Sequence, residues 1–379
     1  MKRVLSVVGT RPEAIKMAPV IKRLAEAPWC ESRVVATAQH RELLDQVFSL
    51  FRISADIDLD IMRERQTLAA LTARLFERLD GIYDSERPDM VLAQGDTTTV
   101  MVASLAAFYR GIAFGHVEAG LRTYDLRNPF PEELNRVIAG RVATLHFAPT
   151  EIARQALLRE GVPDVRIVVT GNTVIDALLE VAAQDRPCPV PIPPHHRVIL
   201  LTAHRRESFG EPMRRVFRAV RALVARFPDV EVIFPVHPNP HVRTLASEVL
   251  GGLDRVHLVE PMSYGDLVAT LKRTFLVLTD SGGLQEEAPA LGKPVLVLRN
   301  TTERGEALES ENLELVGTGP ERIFAAVSNL LHDPQHYARM SRPSFPFGHG
   351  GAAPKIADIV EDFLTPKATE LAPLTLIGE

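Results

Sequence analysis

Three acidic side chains in the first half of the chain stand where a sheet could direct them at one site. Asp96 and Glu118 each follow a short apolar segment, and Glu132 begins a helical pattern after a loop. Each has an ordinary alternative: Asp96 as a helix cap, Glu118 as a solvated loop residue, and Glu132 as a helix-start acid paired with Arg136 four residues later. Three carboxylates directed at one site are what proton transfer on a substrate requires, so we take them as acid/base candidates.

A glycine-rich segment in the second half of the chain has the features of an anion site. The Ser-Gly-Gly segment at 281–283 follows an apolar segment and opens a helical pattern. Glycines allow close approach of the backbone, and the N–H groups at a helix start favour a phosphate. The alternative is an ordinary turn in which the serine caps the helix. A pyrophosphate also needs cationic donors, which Arg11, His204 and Arg304 can supply.

Other chemistries are weakly supported by the sequence. Cys30 and Cys188 are too few and too far apart for a disulfide framework or a zinc site. His116 and Glu118 lie two residues apart without an H-E-x-x-H motif, and the histidines at 195–196 are expected at the surface. The sequence contains neither G-x-G-x-x-G nor a P-loop motif, which argues against a dinucleotide dehydrogenase and a P-loop enzyme.

The elements that must position these residues follow a βαβ pattern. A helix is predicted at 14–25, and apolar segments rich in Val, Ile and Leu predict strands at 4–8, 33–37, 90–93, 113–117, 198–202, 230–235, 257–259, 276–279 and 295–298. A proline-dense stretch at 186–197 interrupts the pattern, so we expect two doubly wound α/β domains divided between about residues 171 and 197. Parallel sheets bind ligands at the carboxyl ends of their strands, which predicts a site in the cleft between the domains.

The bulk composition agrees with two globular domains and excludes several partners. The chain has 379 residues, of which 46% are hydrophobic and 24% are charged. A net charge of −5 gives no sign of a nucleic-acid or membrane partner. The apolar segment near the N-terminus is shorter than the roughly 7 residues a signal peptide needs, and no segment approaches the roughly 20 apolar residues of a membrane span. We therefore predict a cytoplasmic protein.

Ten motifs in fixed order give the chain a specific resemblance. They are GTRPEAIKMAPV, TAQHRELLDQVF, QGDTTTV, GHVEAGLRT, PFPEELNRV, HFAPT, TGNTVIDAL, LTAHRRESFGEPM, PVHPNP and LTDSGGLQEEAPALGKPVLVLRNTTER. Together they closely resemble the bacterial non-hydrolysing UDP-N-acetylglucosamine 2-epimerases over about residues 1–360.

The resemblance implies an architecture and a set of site residues. It implies the glycosyltransferase-B fold: one Rossmann-like domain at 1–172 completed by a C-terminal helix at about 352–366, and a second at 173–351. It also implies a homodimer, no metal and no organic cofactor. The implied catalytic residues are Asp96, Glu118 and Glu132, as the acid/base set, and His204 near the leaving phosphate. The implied UDP ligands are Arg11, Lys16, His204, Ser281, Gly282, Gly283, Glu287 and Arg304. An activating second UDP-N-acetylglucosamine would bind Gln39, His40, Arg65, Gln66, Arg205 and His237.

The implied reaction is reversible inversion at C2 of the sugar, within cell-surface polysaccharide biosynthesis. The C2 hydrogen has no carbonyl to acidify it, so UDP is expected to leave first and give 2-acetamidoglucal before it adds back. The alternatives are a hydrolysing epimerase, a retaining glycosyltransferase and a nucleotide-sugar sensor without activity.

Some residues depart from the usual family pattern. Gln94 replaces a common histidine, Tyr124 a usual glycine, Gly305 a typical proline and His349 a usual aspartate. We expect these changes to leave the acid/base residues untouched and to affect the segment near Phe347 or loop closure instead.

Overall fold

The chain folds into two compact units, each built on its own parallel sheet. The computed structural model describes residues 1–37, 41–61, 63, 66–205, 208–302, 304–308 and 310–366. The first unit comprises Met1–Asp176 and Gly350–Glu379, and the second comprises Ala177–His349.

The strands divide between the two sheets in chain order. The first unit contains β1 (Lys2–Val8), β2 (Cys30–Ala36), β3 (Ile57–Asp58), β4 (Met90–Gln94), β5 (Ala113–Val117), β6 (Leu145–Ala148) and β7 (Ile167–Val169). The second contains β8 (Arg197–Thr202), β9 (Val230–Pro235), β10 (Val256–Val259), β11 (Leu276–Thr279), β12 (Val295–Val297) and β13 (Leu313–Leu315).

The helices connect these strands in the manner of βαβ units. They are α1 (Arg11–Glu26), α2 (Arg41–Phe51), α3 (Leu68–Glu86), α4 (Thr98–Tyr109), α5 (Glu132–Val142), α6 (Glu151–Arg159), α7 (Thr173–Ala182), α8 (Glu211–Arg226), α9 (Pro240–Leu250), α10 (Tyr264–Arg273), α11 (Gly282–Ala290), α12 (Gly305–Leu308), α13 (Pro320–His332), α14 (Pro334–Met340) and α15 (Ala352–Leu364).

Both sheets have a point at which the strand order reverses. The first has the order β3-β2-β1-β4-β5-β6-β7, and the second has the order β10-β9-β8-β11-β12-β13. Every described strand pair is parallel. The order reverses between β1 and β4 in one sheet and between β8 and β11 in the other. Loops that follow such neighbouring strands open a crevice in which α/β proteins bind ligands.

Burial on both faces explains why the strands are continuous apolar segments. Leu5 and Val7 of β1 pack with Val91 of β4 and with Leu79 and Tyr83 of α3, and all five are buried. A fully buried Leu or Val side chain contributes about 1.5–3 kcal/mol, so the central strands carry much of the stability of this unit.

The last described helix belongs to the first unit. α15 packs against α1. The carboxylate of Asp176 accepts hydrogen bonds from the backbone N–H groups of Gly351 and Ala353 at 2.9 and 3.1 Å. A carboxylate at a helix N-terminus satisfies free donors and interacts favourably with the helix dipole, which fixes the start of α15.

The predicted strands and the fold class are confirmed. Each of the nine predicted strand segments overlaps an observed strand, with ends that differ by three residues or fewer. The predicted helix 14–25 corresponds to α1, which begins three residues earlier. β3, β6, β7 and β13 were not predicted from the sequence. Within the described residues, no helix is long and apolar enough to span a membrane.

Candidate active site

Glu118 lies in a buried set of hydrogen-bond donors at the carboxyl end of β5. Its side chain is 5% exposed. Lys16 Nζ of α1 lies 2.5 Å from Glu118 Oε1, and Asn172 Nδ2 donates to the same oxygen at 2.9 Å. Gln94 at the end of β4 donates its amide to Oε2. The three donors offset the cost of burying a carboxylate, and the burial itself shows that the alternative of a solvated loop residue is wrong.

The backbone of Glu118 is unusual for a side chain of this kind. Its φ is +62°, in the left-handed region that L residues other than glycine, asparagine and aspartate seldom adopt. Gly120 follows with φ +92°, and a Cβ there would lie 2.3 Å from the carbonyl oxygen of Ala153. The turn after β5 is therefore sharp and closely packed, and it directs Glu118 toward Lys16.

Asp96 lies in the turn after β4, directly beside this set. Arg136 of α5 approaches Asp96 Oδ2 at 3.1 Å, and Asn135 Nδ2 donates to the Asp96 backbone oxygen at 2.9 Å. Burial raises the pKa of Asp96; Arg136 opposes the shift, and the charges of Glu118 and Glu132 add to it. Asp96 does not cap α4, because Thr97 holds the N-cap position and accepts from Val100 N.

Glu132 begins α5 and is partly exposed, whereas its neighbour Glu133 is fully buried. Arg136 Nε lies 3.4 Å from Glu133 Oε2 and also 3.4 Å from the backbone oxygen of Glu132. The alternative pairing of the Glu132 carboxylate with Arg136 is therefore wrong: the arginine side chain pairs with Asp96 and Glu133. Glu132 keeps its carboxylate within electrostatic reach of Asp96.

Two supporting residues were missed by the sequence reasoning. Glu133 Oε1 accepts from the backbone N–H groups of Thr123 and Tyr124, both at 3.0 Å, which fastens the loop after β5. Burial lowers the pKa of His116 to about 4, so the ring is neutral near pH 7. Its Nε2 then donates to the backbone oxygen of Gly95 at 2.7 Å. A histidine within an otherwise apolar strand was the signal that the sequence offered.

The departures from the family pattern require one correction. We expected them to leave the acid/base residues untouched, but Gln94 donates directly to the Glu118 carboxylate. An amide donor cannot lose its proton near neutral pH, so it supplies a fixed hydrogen bond where a histidine would titrate. Tyr124 adopts φ +63°, which explains why glycine suits that position.

The second unit has its own polar group at the switch point between β8 and β11. Asp280 is buried, and its Oδ2 accepts from the backbone N–H groups of His204 and Arg205 at 2.7 and 2.9 Å. The Nδ1 atom of His204 lies 3.0 Å from Asp280 Oδ1. Burial alone would raise the pKa of Asp280, but the hydrogen bonds and the charge from His204 outweigh it and lower this pKa. The carboxylate therefore fixes the loop that carries the predicted His204.

The predicted phosphate segment begins α11. Ser281 holds the N-cap position, but its hydroxyl makes no capping hydrogen bond to the described helix, so the alternative role as a side-chain cap is wrong. Tyr264 donates its hydroxyl to Glu287 Oε1 at 2.7 Å. Arg304 Nε lies 2.5 Å from the buried carboxylate of Glu286. Arg11 is the first residue of α1 in the other unit and is half-buried.

Only part of the predicted activator set falls within the described residues. Gln39, His40 and Arg65 lie outside them. The His237 ring stacks on His204 with centroids 5.8 Å apart, and burial together with His204 lowers the pKa of His237. Gln66 accepts a hydrogen bond from Arg74. Among the described residues, no group of three or more His, Cys, Asp or Glu side chains has the arrangement of a metal site.

The histidines at 195 and 196 differ from one another. His195 is exposed, as expected, but His196 is half-buried. His196 Nδ1 lies 2.8 Å from Glu231 Oε1, and His257 Nε2 lies 2.7 Å from the other oxygen of that carboxylate. The prediction of surface residues is therefore confirmed for His195 and holds only in part for His196, whose side chain is 29% exposed. Both cysteines are free, with Cys30 buried and Cys188 partly buried.

Two Rossmann-like units with carboxylates at one switch point and a glycine-rich helix start beside the other define an α/β enzyme of the glycosyltransferase-B fold class. The glycosyltransferase of kitacinnamycin shares this fold with a TM-score of 0.64 over 95% of this chain and 98% of that one, at 16% identity.

The comparisons of sequence then fix the family. The sequence profile described as UDP-N-acetylglucosamine 2-epimerase matches residues 22–361. The UDP-N-acetylglucosamine 2-epimerase of Bacillus subtilis (strain 168) is 52% identical over 357 residues, or 94% of each chain. That of Escherichia coli (strain K12) is 49% identical over 370 residues, covering 95% of this chain and 98% of that one. The chain belongs to the UDP-N-acetylglucosamine 2-epimerase family.

A solved relative agrees in structure as well. The crystal structure of UDP-GlcNAc 2-epimerase from Neisseria meningitidis, bound to UDP-GlcNAc, matches with a TM-score of 0.88 and 44% identity. The match covers 94% of this chain and 99% of that chain.

Proposed function

We propose that the protein catalyses the reversible epimerisation of UDP-N-acetylglucosamine at C2, giving UDP-N-acetylmannosamine without net hydrolysis. One observation carries the proposal beyond family membership: Asp96 lies within electrostatic reach of both Glu118 and Glu132, and Arg136 and Lys16 lie against this carboxylate set. Several carboxyl groups held close together differ in proton affinity, which proton transfer to and from carbon requires.

The chemistry begins with the bond between C1 and the β-phosphate oxygen. That bond breaks with both electrons on the oxygen, so UDP leaves as an anion and C1 gains oxocarbenium character. The positive charge at C1 acidifies the neighbouring C2–H, and a carboxylate removes this proton to give 2-acetamidoglucal. A proton then adds to C2 from the opposite face while the UDP oxygen bonds again to C1, so atoms and charge balance over the cycle.

The carboxyl groups of the first unit differ in their surroundings. Desolvation raises the pKa of Asp96, which brings it closer to the range in which a group accepts and returns a proton near neutral pH. Lys16, Asn172 and Gln94 surround the Glu118 carboxyl group with hydrogen-bond donors and hold it in place. We assign Asp96, Glu118 and Glu132 to proton transfer at C2, with Lys16 supporting Glu118.

Residues of the second unit are assigned to UDP. The N–H groups at the start of α11 and the His204 side chain would stabilise the phosphate as it departs, which lowers the barrier to C1–O cleavage. Glu287 would accept hydrogen bonds from the ribose hydroxyls, and Tyr264 holds one of its oxygens. Arg304 adds a cationic donor of the kind that a pyrophosphate needs, and the resemblance assigns Arg11 of the first unit to UDP as well.

A homodimer, a cytoplasmic location and activation by a second UDP-N-acetylglucosamine are further proposals that rest on the resemblance. The stacking of His237 on His204 supports the proposed activation. A ligand that contacted His237 would also affect His204, which we assign to the phosphate of UDP. From UDP-N-acetylmannosamine alone the reverse reaction should stall, and added UDP-N-acetylglucosamine should restore it. Michaelis behaviour without any addition would contradict the activation, and sedimentation of a monomer would contradict the dimer.

The function is tested by separating the products of the purified protein on an anion-exchange column. UDP-N-acetylglucosamine should convert partly to UDP-N-acetylmannosamine, and the Asp96→Asn and Glu118→Gln variants should lose at least about 100-fold in kcat. Free UDP together with N-acetylmannosamine would instead show a hydrolysing epimerase. Binding without any product, at high protein concentration, would show a nucleotide-sugar sensor.

A further inference from the structure

Glu13 joins the two loops that meet at the switch point of the first sheet. It lies in the first turn of α1 and is 2% exposed. Its Oε2 accepts from the backbone N–H groups of Gly9 and Thr10 at 2.6 and 2.7 Å. Its Oε1 accepts from the hydroxyl of Thr97, which belongs to the loop after β4. One carboxylate therefore ties the loop after β1 to the loop after β4.

The second of these loops carries the acid/base residue Asp96. Thr97 follows Asp96 directly, and its Oγ1 accepts from Val100 N at 3.4 Å as the N-cap of α4. The Thr97 hydroxyl thus donates to Glu13 and accepts from its own helix at the same time. Its rotation is fixed from both sides, and the backbone that leads into Asp96 is fixed with it.

The surroundings leave little room for this arrangement to shift. A Cβ on Gly9 would lie 2.5 Å from Thr99 Oγ1, 2.8 Å from Thr37 Oγ1 and 3.1 Å from Glu13 Oε2. The hydroxyls of Thr37 and Thr99 are themselves 3.1 Å apart. A close-packed polar layer therefore lies beneath the loops at the end of β1 and β4, with Glu13 at its centre.

We propose that Glu13 is a positioning residue for the epimerisation, which sets the place of Asp96 by holding Thr97. Its role extends beyond capping α1, since a capping box requires its contact with Thr10 but not its contact with the next loop. The proposal rests on the proposed function, because Asp96 has to act on the sugar for its placement to matter. Displacement of a catalytic group by about 1 Å can lower the rate about 100-fold.

Four variants of the full-length protein test this placement. Glu13→Ala removes the acceptor, and Thr97→Val removes the hydroxyl while keeping its shape. Each should lower kcat about 10- to 100-fold with KM changed less than about threefold. The double variant should lose no more than the worse single variant, because both changes break one connection. Thr97→Ser, which keeps the hydroxyl, should stay within about threefold of the wild type.

A control separates placement from loss of a helix cap. Asp333 also accepts from two backbone N–H groups at a helix start, both at 2.9 Å, in the second unit. Asp333→Ala should therefore leave kcat unchanged. If Glu13→Ala does not fold, as judged by circular dichroism, Thr97→Val decides: it leaves the Glu13 carboxylate on the backbone N–H groups of Gly9 and Thr10 and removes only the hydroxyl that joins the two loops, so kcat should still fall.

The outcomes distinguish this inference from the proposed function. A folded Thr97→Val or Glu13→Ala protein with the wild-type kcat would overturn the role of Glu13, as would losses that multiply in the double variant. A wild-type protein that releases no epimer would overturn the proposed function instead, whatever the variants do.

Discussion

Lys16 and Glu118 form a buried ion pair whose loss should be measurable in the stability of the first unit. The two charged atoms are 2.5 Å apart, and the side chains are 14% and 5% exposed. At an effective dielectric constant of about 20, opposite unit charges at that distance attract by about 7 kcal/mol. Removal of both ions from water offsets part of this, and loss of one partner from such a pair typically costs about 3–5 kcal/mol.

The perturbation is Lys16→Met, which keeps most of the length of the side chain and removes the charge. We expect the free energy of unfolding to fall by about 3 kcal/mol, the lower end of that range, because Asn172 and Gln94 still donate to Glu118. Glu118→Gln should also destabilise the unit. The double variant should recover at least about half of the summed loss, since neither charge is then left unpaired.

The assay is urea unfolding followed by fluorescence. The chain has one tryptophan, Trp29, which precedes β2 in the first unit and reports on the unfolding of that unit. The matched control is Lys2→Met, since Lys2 pairs with Asp89 at 3.0 Å with side chains 39% and 34% exposed. An exposed pair contributes at most about 1 kcal/mol. Equal losses for the two lysine variants, or additive losses in the double variant, would refute the reasoning.

Three further variants test other parts of the structure. Burial raises the pKa of Glu13 from 4.5 to about 7. The contribution of Glu13 to the free energy of unfolding is therefore full below pH 4.5 and is lost as the pH rises to about 7. Over that interval the free energy of unfolding of Glu13→Gln, measured with urea, should rise by about 3 kcal/mol relative to that of the wild type. Gly120→Ala should destabilise the first unit by at least about 3 kcal/mol, because its Cβ would lie 2.3 Å from the oxygen of Ala153. Tyr264→Phe should weaken UDP binding about 10-fold by calorimetry, because Glu287 loses a donor at 2.7 Å.

Each of these variants has a matched comparison. The pH-dependent rise in the free energy of unfolding that is expected for Glu13→Gln should be missing from Asp333→Asn. A difference between Glu13→Gln and the wild type that stays constant from pH 4.5 to pH 8 would contradict the role of the Glu13 pKa. Gly161 also has a positive φ, +83°, but open space around it, so Gly161→Ala should cost only about 1–2 kcal/mol. Tyr337→Phe removes a hydroxyl that donates to Phe275 O at 3.3 Å and should leave UDP binding unchanged; equal weakening would contradict the role of Tyr264.

The long central strands could be predicted because burial on both faces makes them continuous apolar segments. The strands at 230–235 and 276–279 have the predicted ends. β3 has only two residues, which is too short for a pattern to register. β7 and β13 have three residues each, like the predicted β12, but only the first residue of each is buried, whereas all three residues of β12 are. β6 has four residues and contains His146, so its polar ring interrupts the apolar signal. Length, burial and composition together therefore decided which strands were found.

The positions of the site residues were more predictable than their partners. Asp96 and Glu118 follow strand ends, so the sequence indicated that both lie at the carboxyl end of a sheet. The contact of Lys16 with Glu118 joins residues 102 apart in the chain, and only the neighbouring positions of β1, β4 and β5 in the sheet bring them together. Arg136 was expected to pair with Glu132, but it pairs with Glu133 of the same helix and with Asp96 in the turn after β4. Periodicity in the sequence predicts which face of a helix or strand is buried, whereas contacts between residues far apart in the chain depend on the assembled sheet.

The proposed elimination is tested most directly by proton NMR of UDP-N-acetylglucosamine with the purified protein in D₂O. Proton transfer at C2 through carboxyl groups that exchange with solvent should replace the C2 proton by deuterium, with UDP still attached to both epimers. UDP-N-acetylmannosamine signals should grow at the same time. Epimer that forms with full retention of the C2 proton would contradict deprotonation at C2, and a spectrum that does not change would contradict the epimerase activity itself.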